Sequence, residues 1–317
     1  MTRRRAELVL GTVQLGVPYG AANSTGMPPR ETAIRLLRRA ASMGVAAFDT
    51  ARAYGDAEDR IGSAFEGGTP VETITKLDPL ARLPDDASPA EAEAAADESV
   101  ARSLVALKRT SLDTLLLHRA AHVTSHNGAI WNRLNELRKA GVIGRIGVSV
   151  QSPEEAHLAL AADGLGHIQL PFNVLDWRWA ERGVIEVLRR RRDVTVHARS
   201  LFLQGLLARE DASLWPQITG VDPDRILFTL NSLARALNRK SAADLCLAYA
   251  RGQDFIDGVV IGMETENQLS ENMRLFVERP LSADECTIVA NRMPRVPVQL
   301  LDPAQWPRPA RSTSALQ

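Results

Sequence analysis

The stretch ELVLGTVQLG, from Glu7 to Gly16, decides the fold of this chain. Its Leu- and Val-rich start reads as a first strand, over ELVLGTVQL. No G-x-G-x-x-G turn follows it, so the phosphate-binding signature of a doubly wound dinucleotide domain is missing. The strand is followed by RETAIRLLRRAASMG, whose apolar residues fall three and four apart before a Gly stop, the pattern of a helix. VAAFDT then predicts a second strand, DAEDRIGSAFEGG a second helix and VETITKL a third strand. SPAEAEAAADESVARSLVALK predicts a third helix, opened by a capping box from Ser88 to Glu91 with Pro at the first helical position.

The alternation continues to the end of the chain. LDTLLLH, GRIGVSV, HIQLPFN, VTVHAR and IDGVVIG bring the strands to eight. NGAIWNRLNELRKAG, SPEEAHLALAADG and ERGVIEVLRRRR are the intervening helices, the second opened by another capping box from Ser152 to Glu155. Two helices, PDRILFTLNSLARALN and SAADLCLAYARG, precede the last strand, and TENQLSENMRLF comes after it. Eight β-then-α units without the Gly-rich turn predict an α/β chain folded as one (β/α)8 TIM barrel over residues 1–317. No unit closely repeats another, which excludes a solenoid. The Pro-rich tail, 294–317, is expected to wrap the barrel and then fray.

Composition narrows the function. Apolar residues are 45% of the 317, enough for a large core, and 38 Lys+Arg balance 38 Asp+Glu. A nucleic-acid or anionic-membrane binder would carry a basic excess, so neither partner is expected. The LRRRRD run before Asp193 reads as the solvated end of a helix, where cations meet the negative end of the dipole. Two cysteines, Cys246 and Cys286, do not make a disulfide framework and fit a reducing cytoplasm. The start MTRRRAELVLGTVQLG lacks an unbroken apolar run and a small-residue cleavage site, and no stretch approaches a membrane span.

In such a barrel the chemistry gathers at the C-terminal ends of the strands. Here those ends carry Asp49 with Tyr54 in the next loop, then Lys76, His118, Ser149, Gln169 with Asn173, and Arg199 with Ser200. Asp, Tyr, Lys and His from adjacent strands form a coherent set. A free phenol holds its proton up to a pKa of ~10, and a neighbouring ammonium stabilises the phenolate. A carboxylate keeps that ammonium in place, and a His can orient a substrate oxygen. Such a set exchanges a proton with a carbonyl or alcohol oxygen, and a cofactor must supply the hydride. Each residue alone has a structural reading; their joint occurrence at successive strand ends points to function. His118, His122 and His126 are four apart, but HRAAHVTSH reads as a loop, so no metal site is expected.

The stretches FDTARAYGDAEDRIG, TITKL, LDTLLLHRA, LRKAGVIGRIGVS, IQLPFN, LQGLL and VVIGMETENQLSEN, in this order and spacing, resemble the aldo/keto reductases over nearly the whole chain. The resemblance implies a barrel that binds a nicotinamide dinucleotide without a Rossmann fold. It implies Tyr54 as general acid, Lys76 as the cation that assists it, Asp49 as the partner of Lys76 and His118 as the group that orients the carbonyl. It places Gly11 and Thr12 under the nicotinamide ribose, Ser149 and Gln169 at the nicotinamide amide, and Ser200 and Gln204 in the loop along the pyrophosphate. The segment Gly262–Asn272, with Met263, Glu264, Gln268 and Glu271, falls around the adenosine 2′ position.

Three positions depart from the family's pattern. Ser149 is followed by Val150 rather than Asn, and Arg199 stands where an aromatic ring usually stacks on the nicotinamide. A guanidinium is planar and can stack, but it is cationic. It is expected to disfavour the oxidised ring and to pull the bound equilibrium toward alcohol oxidation. Around the 2′ position, Gly262, Met263 and Gln268 stand where the family's cations would hold a phosphate, with Glu264 and Glu266 nearby, so NADH is expected to serve at least as well as NADPH, unless Arg274 reaches the site. The expected partner is a small carbonyl substrate, such as a sugar aldehyde or lactol, a pyridoxal-like aldehyde or a polyketide-type ketone. Tyr19, Trp177, Trp179 and Trp215 are candidate pocket walls beside Tyr54 and His118, and Arg178 could meet an anionic group; the alternative is that the Trp rings pack loops onto the barrel. Two other functions remain open at this point: an NAD-dependent aldose or aldehyde dehydrogenase, and a non-catalytic cofactor sensor like the potassium-channel accessory subunits.

Overall fold

A computed structural model describes residues 6–21, 23, 26–68 and 71–307. The eight strands are β1 (Glu7–Gly11), β2 (Ala47–Asp49), β3 (Glu72–Lys76), β4 (Leu112–Leu117), β5 (Ile143–Ser149), β6 (His167–Pro171), β7 (Thr195–Arg199) and β8 (Gly258–Gly262). All are parallel and close into a barrel in chain order. The seam joins β1 to β8, with Glu7 beside Gly258 and Gly11 beside Gly262. The helices between them are α1 (Arg30–Ser42), α2 (Ala57–Phe65), α3 (Pro89–Leu107), α4 (Ala129–Lys139), α5 (Pro153–Leu160), the short α6 (Arg178–Glu181) and α7 (Val184–Arg190). Then come α8 (Pro223–Ala236), α9 (Ala242–Arg251), α10 (Glu266–Phe276), α11 (Ala283–Arg292) and α12 (Val298–Leu301).

Local chemistry sets several of these boundaries. The predicted first strand runs to Leu15, but β1 stops at Gly11 and Val13–Leu15 form a 3-10 turn. Thr12 ends the strand because both its amide and its hydroxyl donate to the Asp49 carbonyl, each at 2.9 Å. The Ser88–Glu91 capping box is complete. The second box is half formed: Ser152 accepts from the Glu155 amide, while the Glu155 carboxylate takes the Gln151 amide at 2.6 Å. Ser282 and Glu285 form a further full box at the head of α11, a helix the apolar periodicity did not reveal.

Strand alternation divides the apolar residues into two cores. The larger lies between the barrel and its helices, with Phe48, Leu115, Ile168, Trp179 and Leu247 among its members. The smaller fills the barrel and comprises Val9, Ala47, Ile74, Leu116 and Val260. The segment after Met293 packs back onto the barrel: Leu300 and Leu301 are buried, and Trp177 Nε1 donates to the Val296 carbonyl at 3.1 Å. Residues 308–317, to which the expected fraying refers, lie outside the described residues, as do residues 1–5. Among the described residues no helix is long and apolar enough to cross a membrane. Cys246 and Cys286 are buried free thiols, and burial pushes both up to about 12.

Two imidazoles, His167 and His197, are buried on β6 and β7 with centroids 4.3 Å apart, edge to face. Both His167 nitrogens and His197 Nδ1 lack a partner among the described residues. Burial, and then the charges of Arg145 and Lys76, pull His197 down to about 3. His167 is lowered in the same direction by burial and by His197. Each imidazole therefore stays neutral in the fold while the unfolded chain takes up a proton below ~6.5, a linkage of about 1.4 kcal/mol per pH unit per histidine. Urea unfolding measured between pH 7 and pH 4 should show stability falling as pH drops, and His197→Gln should make that dependence shallower. An identical slope in both proteins would rule out the pair as its source.

Candidate active site

The site is built on the first four strands. β2 brings Asp49 and β3 brings Lys76 to the top of the barrel, both nearly excluded from water. Lys76 Nζ donates to Asp49 Oδ1 at 2.7 Å and to the Thr50 carbonyl at 2.9 Å. The other carboxylate oxygen, Asp49 Oδ2, accepts from Gln169 Nε2 at 2.6 Å. The buried ammonium thus has two fixed acceptors, and its carboxylate partner is held from both sides.

Tyr54 comes from the turn after β2. That turn is fixed by its backbone: Thr50 N donates to the Ile74 carbonyl and Arg52 N to the Lys76 carbonyl. Glu58, buried at the start of α2, accepts from Thr75 Oγ1 at 2.6 Å and pairs with Arg52. Two glycines let the loop after β1 press against the turn. A Cβ on Gly16 would meet the Tyr54 carbonyl at 1.8 Å, and Gly55, at φ +53°, faces the Gly16 carbonyl. The Tyr54 ring is held with Lys76 Nζ 5.2 Å from its centroid and the His118 ring 5.9 Å away at 87°. Burial first, then the charges of Lys76 and Arg199, lower His118 to about 3. At neutral pH it is an uncharged imidazole whose buried Nδ1 has no partner among the described residues. A neutral imidazole can donate one N–H to a substrate oxygen without competing for its proton.

Asp49, Tyr54 and His118 open on a cavity of about 910 Å³, within the range of small-molecule and cofactor sites. Gly11, Thr12, Tyr19, Ser149, Arg199, Ser200, Gln204, Gly262, Glu264, Gln268, Glu271 and Asn272 also line it. Ser200, Leu203, Gln204 and Gly205 adopt positive φ (+61°, +45°, +56° and +94°), so the loop after β7 curls at the rim. The amides of Phe202 and Gln204 donate to no backbone carbonyl among the described residues. Amides left without a backbone partner on such a loop, with Arg209 in the same lining, suit a phosphate group. A cavity of this volume, lined by Ser149, Arg199, Glu264, Glu271 and Asn272, has room and polar groups for a nicotinamide cofactor.

The sequence matches the Aldo/keto reductase family over residues 7–291. The chain belongs to that family. It is an oxidoreductase of carbonyls and alcohols that works with a nicotinamide cofactor. Solved structures share the fold. The holo form of an aldo-keto reductase from Bacillus halodurans is 22% identical with a TM-score of 0.75, over 93% of this chain and 97% of that one. A glycerol dehydrogenase from Gluconobacter oxydans is 19% identical with a TM-score of 0.68, over 99% of both chains. No curated protein matches the sequence.

Several residues singled out in the sequence lie away from the cavity wall. Lys76 and Gln169 are buried beneath Asp49, where Gln169 holds the carboxylate instead of lining the cavity. Met263 is wholly buried in the outer core, because strand alternation turns it away from the side that Gly262 faces. Trp177 lies under the Arg295 guanidinium, 3.7 Å from the ring, and Trp215 is packed in the outer core. Trp179 and Arg178 are also spoken for, since Asp176 accepts from Trp179 Nε1 at 3.0 Å and from both Nε and Nη2 of Arg178. These rings pack loops onto the barrel and do not wall the pocket. Asn173 holds the Leu175 amide. His118 faces the cavity, His122 is buried in a 3-10 turn and His126 Nδ1 lies 3.1 Å from the Ala87 carbonyl.

The cavity wall also holds residues to which the strand-end pattern assigned no role: Gln14, Asn23, Arg119, Gln151, Phe202 and Arg209. Arg119 was within reach, since it directly succeeds His118 at a strand end. Gln14 is held close by Gly262, where any Cβ would fall 2.2 Å from its amide.

Removing one partner of a buried ion pair leaves an uncompensated charge, which costs about 3–5 kcal/mol. Lys76→Met should therefore lower the thermal midpoint clearly as well as abolish turnover. A Lys76→Met protein as stable as the parent in urea titrations would show that the pair is not the anchor of the site.

Proposed function

We propose that Tyr54 is the acid and base of the reaction, exchanging a proton with the oxygen of a carbonyl or alcohol held in the cavity. The observation that carries this reading is the Lys76 ammonium, buried between Asp49 Oδ1 and the Thr50 carbonyl and 5.2 Å from the Tyr54 ring. A fixed positive charge beside the phenol stabilises the phenolate left when the proton departs. Neutral His118, edge-on to the same ring, donates to the substrate oxygen and sets its angle. A nicotinamide held along the wall that Ser149, Arg199 and Ser200 line would supply the hydride chemistry for reduction. Tyr54 Oη delivers the proton to the oxygen, while Lys76 is held in place by Asp49 and the Thr50 carbonyl. The same residues run backwards oxidise an alcohol, with Tyr54 taking the hydroxyl proton. An assembled quartet supports turnover over a binding-only role.

The cofactor reading rests on charge. Glu264 and Glu271 stand in the part of the wall assigned to the adenosine end, and Gln268 spends its amide on Glu264 Oε1 and on the amides of Glu264 and Thr265. Arg274, the basic residue of α10, does not line the cavity. A carboxylate repels a 2′-phosphate and accepts from a 2′-hydroxyl. NADH is therefore the better-matched form.

Tyr54→Phe removes only the hydroxyl, so the fold and cofactor binding should survive while turnover of any active aldehyde drops by about 10²–10⁴. Retained turnover in stopped-flow reduction would exclude Tyr54 as the proton donor. In fluorescence titration NADH should bind at least as tightly as NADPH. NADPH bound a hundredfold tighter, about 2.7 kcal/mol, would overturn the cofactor reading.

A further inference from the structure

Arg199 closes β7 and lines the cavity, and its guanidinium is unusually constrained for a residue at a cavity wall. Nη2 donates to the Val150 carbonyl at 3.1 Å and to Gln151 Oε1 at 2.8 Å. Gln151 is itself fixed, its amide nitrogen donating to the Leu301 carbonyl at 3.4 Å and its backbone N–H to Glu155 Oε2 at 2.6 Å. Leu301 belongs to the C-terminal segment, pinned by Arg295 over Trp177, by the Arg295–Glu181 pair and by Trp306 Nε1 on the Leu300 carbonyl. A chain of contacts thus runs from the far end of the protein to a cation on the wall of the reaction chamber.

That cation acts on other residues of the cavity wall. Its charge is felt at His118 and at Tyr19, where it opposes the upward push that burial and Tyr54 give the phenol. None of its neutral hydrogen-bond acceptors cancels it. A ring that brings a hydride to a carbonyl held by Tyr54 and His118 must lie in the cavity that Arg199 also lines. The oxidised nicotinamide ring carries a positive charge and the reduced ring does not.

We propose that Arg199, positioned by Gln151 and the C-terminal segment, sets the redox poise of the bound cofactor by disfavouring NAD⁺ relative to NADH. Fixed like charges at short range in a chamber partly closed to water repel more strongly than in bulk solution. The guanidinium therefore raises the tendency of the bound pair to be reduced, and favours oxidation of the alcohol on the enzyme. Val150, which cannot offer the side-chain amide of an Asn, contributes its carbonyl to the same anchor. This inference rests on the cavity being the nicotinamide site.

The test is equilibrium binding of NAD⁺ and NADH to the full-length protein, by tryptophan quenching and calorimetry, with Arg199→Met, Arg199→Lys and Gln151→Leu as variants. Arg199→Met should lower the Kd ratio of NAD⁺ to NADH by about tenfold, equivalent to ~30 mV for a two-electron couple. Arg199→Lys, which keeps the charge, should stay near the parent. Gln151→Leu should fall between them, and should change nothing further when added to Arg199→Met, since the two act through one group. An unchanged ratio in Arg199→Met, or equal ratios in the Met and Lys variants, overturns the proposal while leaving the cofactor site standing. Binding of neither nucleotide by the parent protein overturns both.

Discussion

An ion pair taken out of water organises this protein. Lys76 and Asp49 sit at the top of the barrel, above the Val9–Ala47–Ile74–Leu116–Val260 core, and almost no solvent reaches them. Burying two charges is costly, and their attraction offsets that cost only when the remaining hydrogen-bonding capacity is met. Here it is met by the Thr50 carbonyl for the ammonium and by Gln169 for the carboxylate. The pair joins β2 to β3 and its partners come from the residue after β2 and from β6, so it is satisfied only when the barrel has closed around it. Structure and chemistry therefore share one requirement: the same closure that neutralises the pair brings a fixed positive charge against the Tyr54 ring.

The loops are tuned to that point. Gly16 and Gly55 have no room for a side chain, since backbone from the neighbouring loop fills the space a Cβ would need. The buried Glu58 ties α2 to Thr75 on β3. Tyr54 is thereby held by backbone and buried contacts on both sides, although it stands in a turn and is itself only half-buried. A side chain held on a rigid turn keeps one geometry before any ligand arrives. His118 complements it, because burial and cationic neighbours keep the imidazole uncharged and free to donate.

Much of this was legible in the sequence, for identifiable reasons. The β–α alternation gives all eight strands because parallel strands covered on both faces need continuous apolar runs. Asp49, Tyr54, Lys76 and His118 could be picked out because a barrel collects polar residues at strand ends, and the structure places them side by side. The features that stayed hidden depend on direction rather than composition. Met263 comes directly after Gly262 and so points to the opposite face, a parity that counting along β8 would have given. Trp177, Trp179 and Trp215 have aromatic rings that serve a pocket or a core equally well, and nothing local distinguishes the two. Gln169 faces the barrel interior, yet its partner lies 120 residues away, so its hold on Asp49 has no sequence signal. The helix α11 did have one, the Ser282–Glu285 cap, which the weak apolar periodicity of ADECTIVANR obscured.

The order of residues along the chain separates two kinds of chemistry. The residues proposed to handle protons, from Asp49 to His118, are contributed by the first four strands and their loops. Apart from Gly11 and Thr12 at the end of β1, the walls proposed for the electron carrier, from Ser149 to Asn272, come from the last four strands, the loops at their ends and α10. Gln169 bridges the two halves through a single carboxylate oxygen. Drift in the later half can thus retune which nucleotide is held, and how readily it gives up electrons, while the earlier half keeps its acid–base geometry intact.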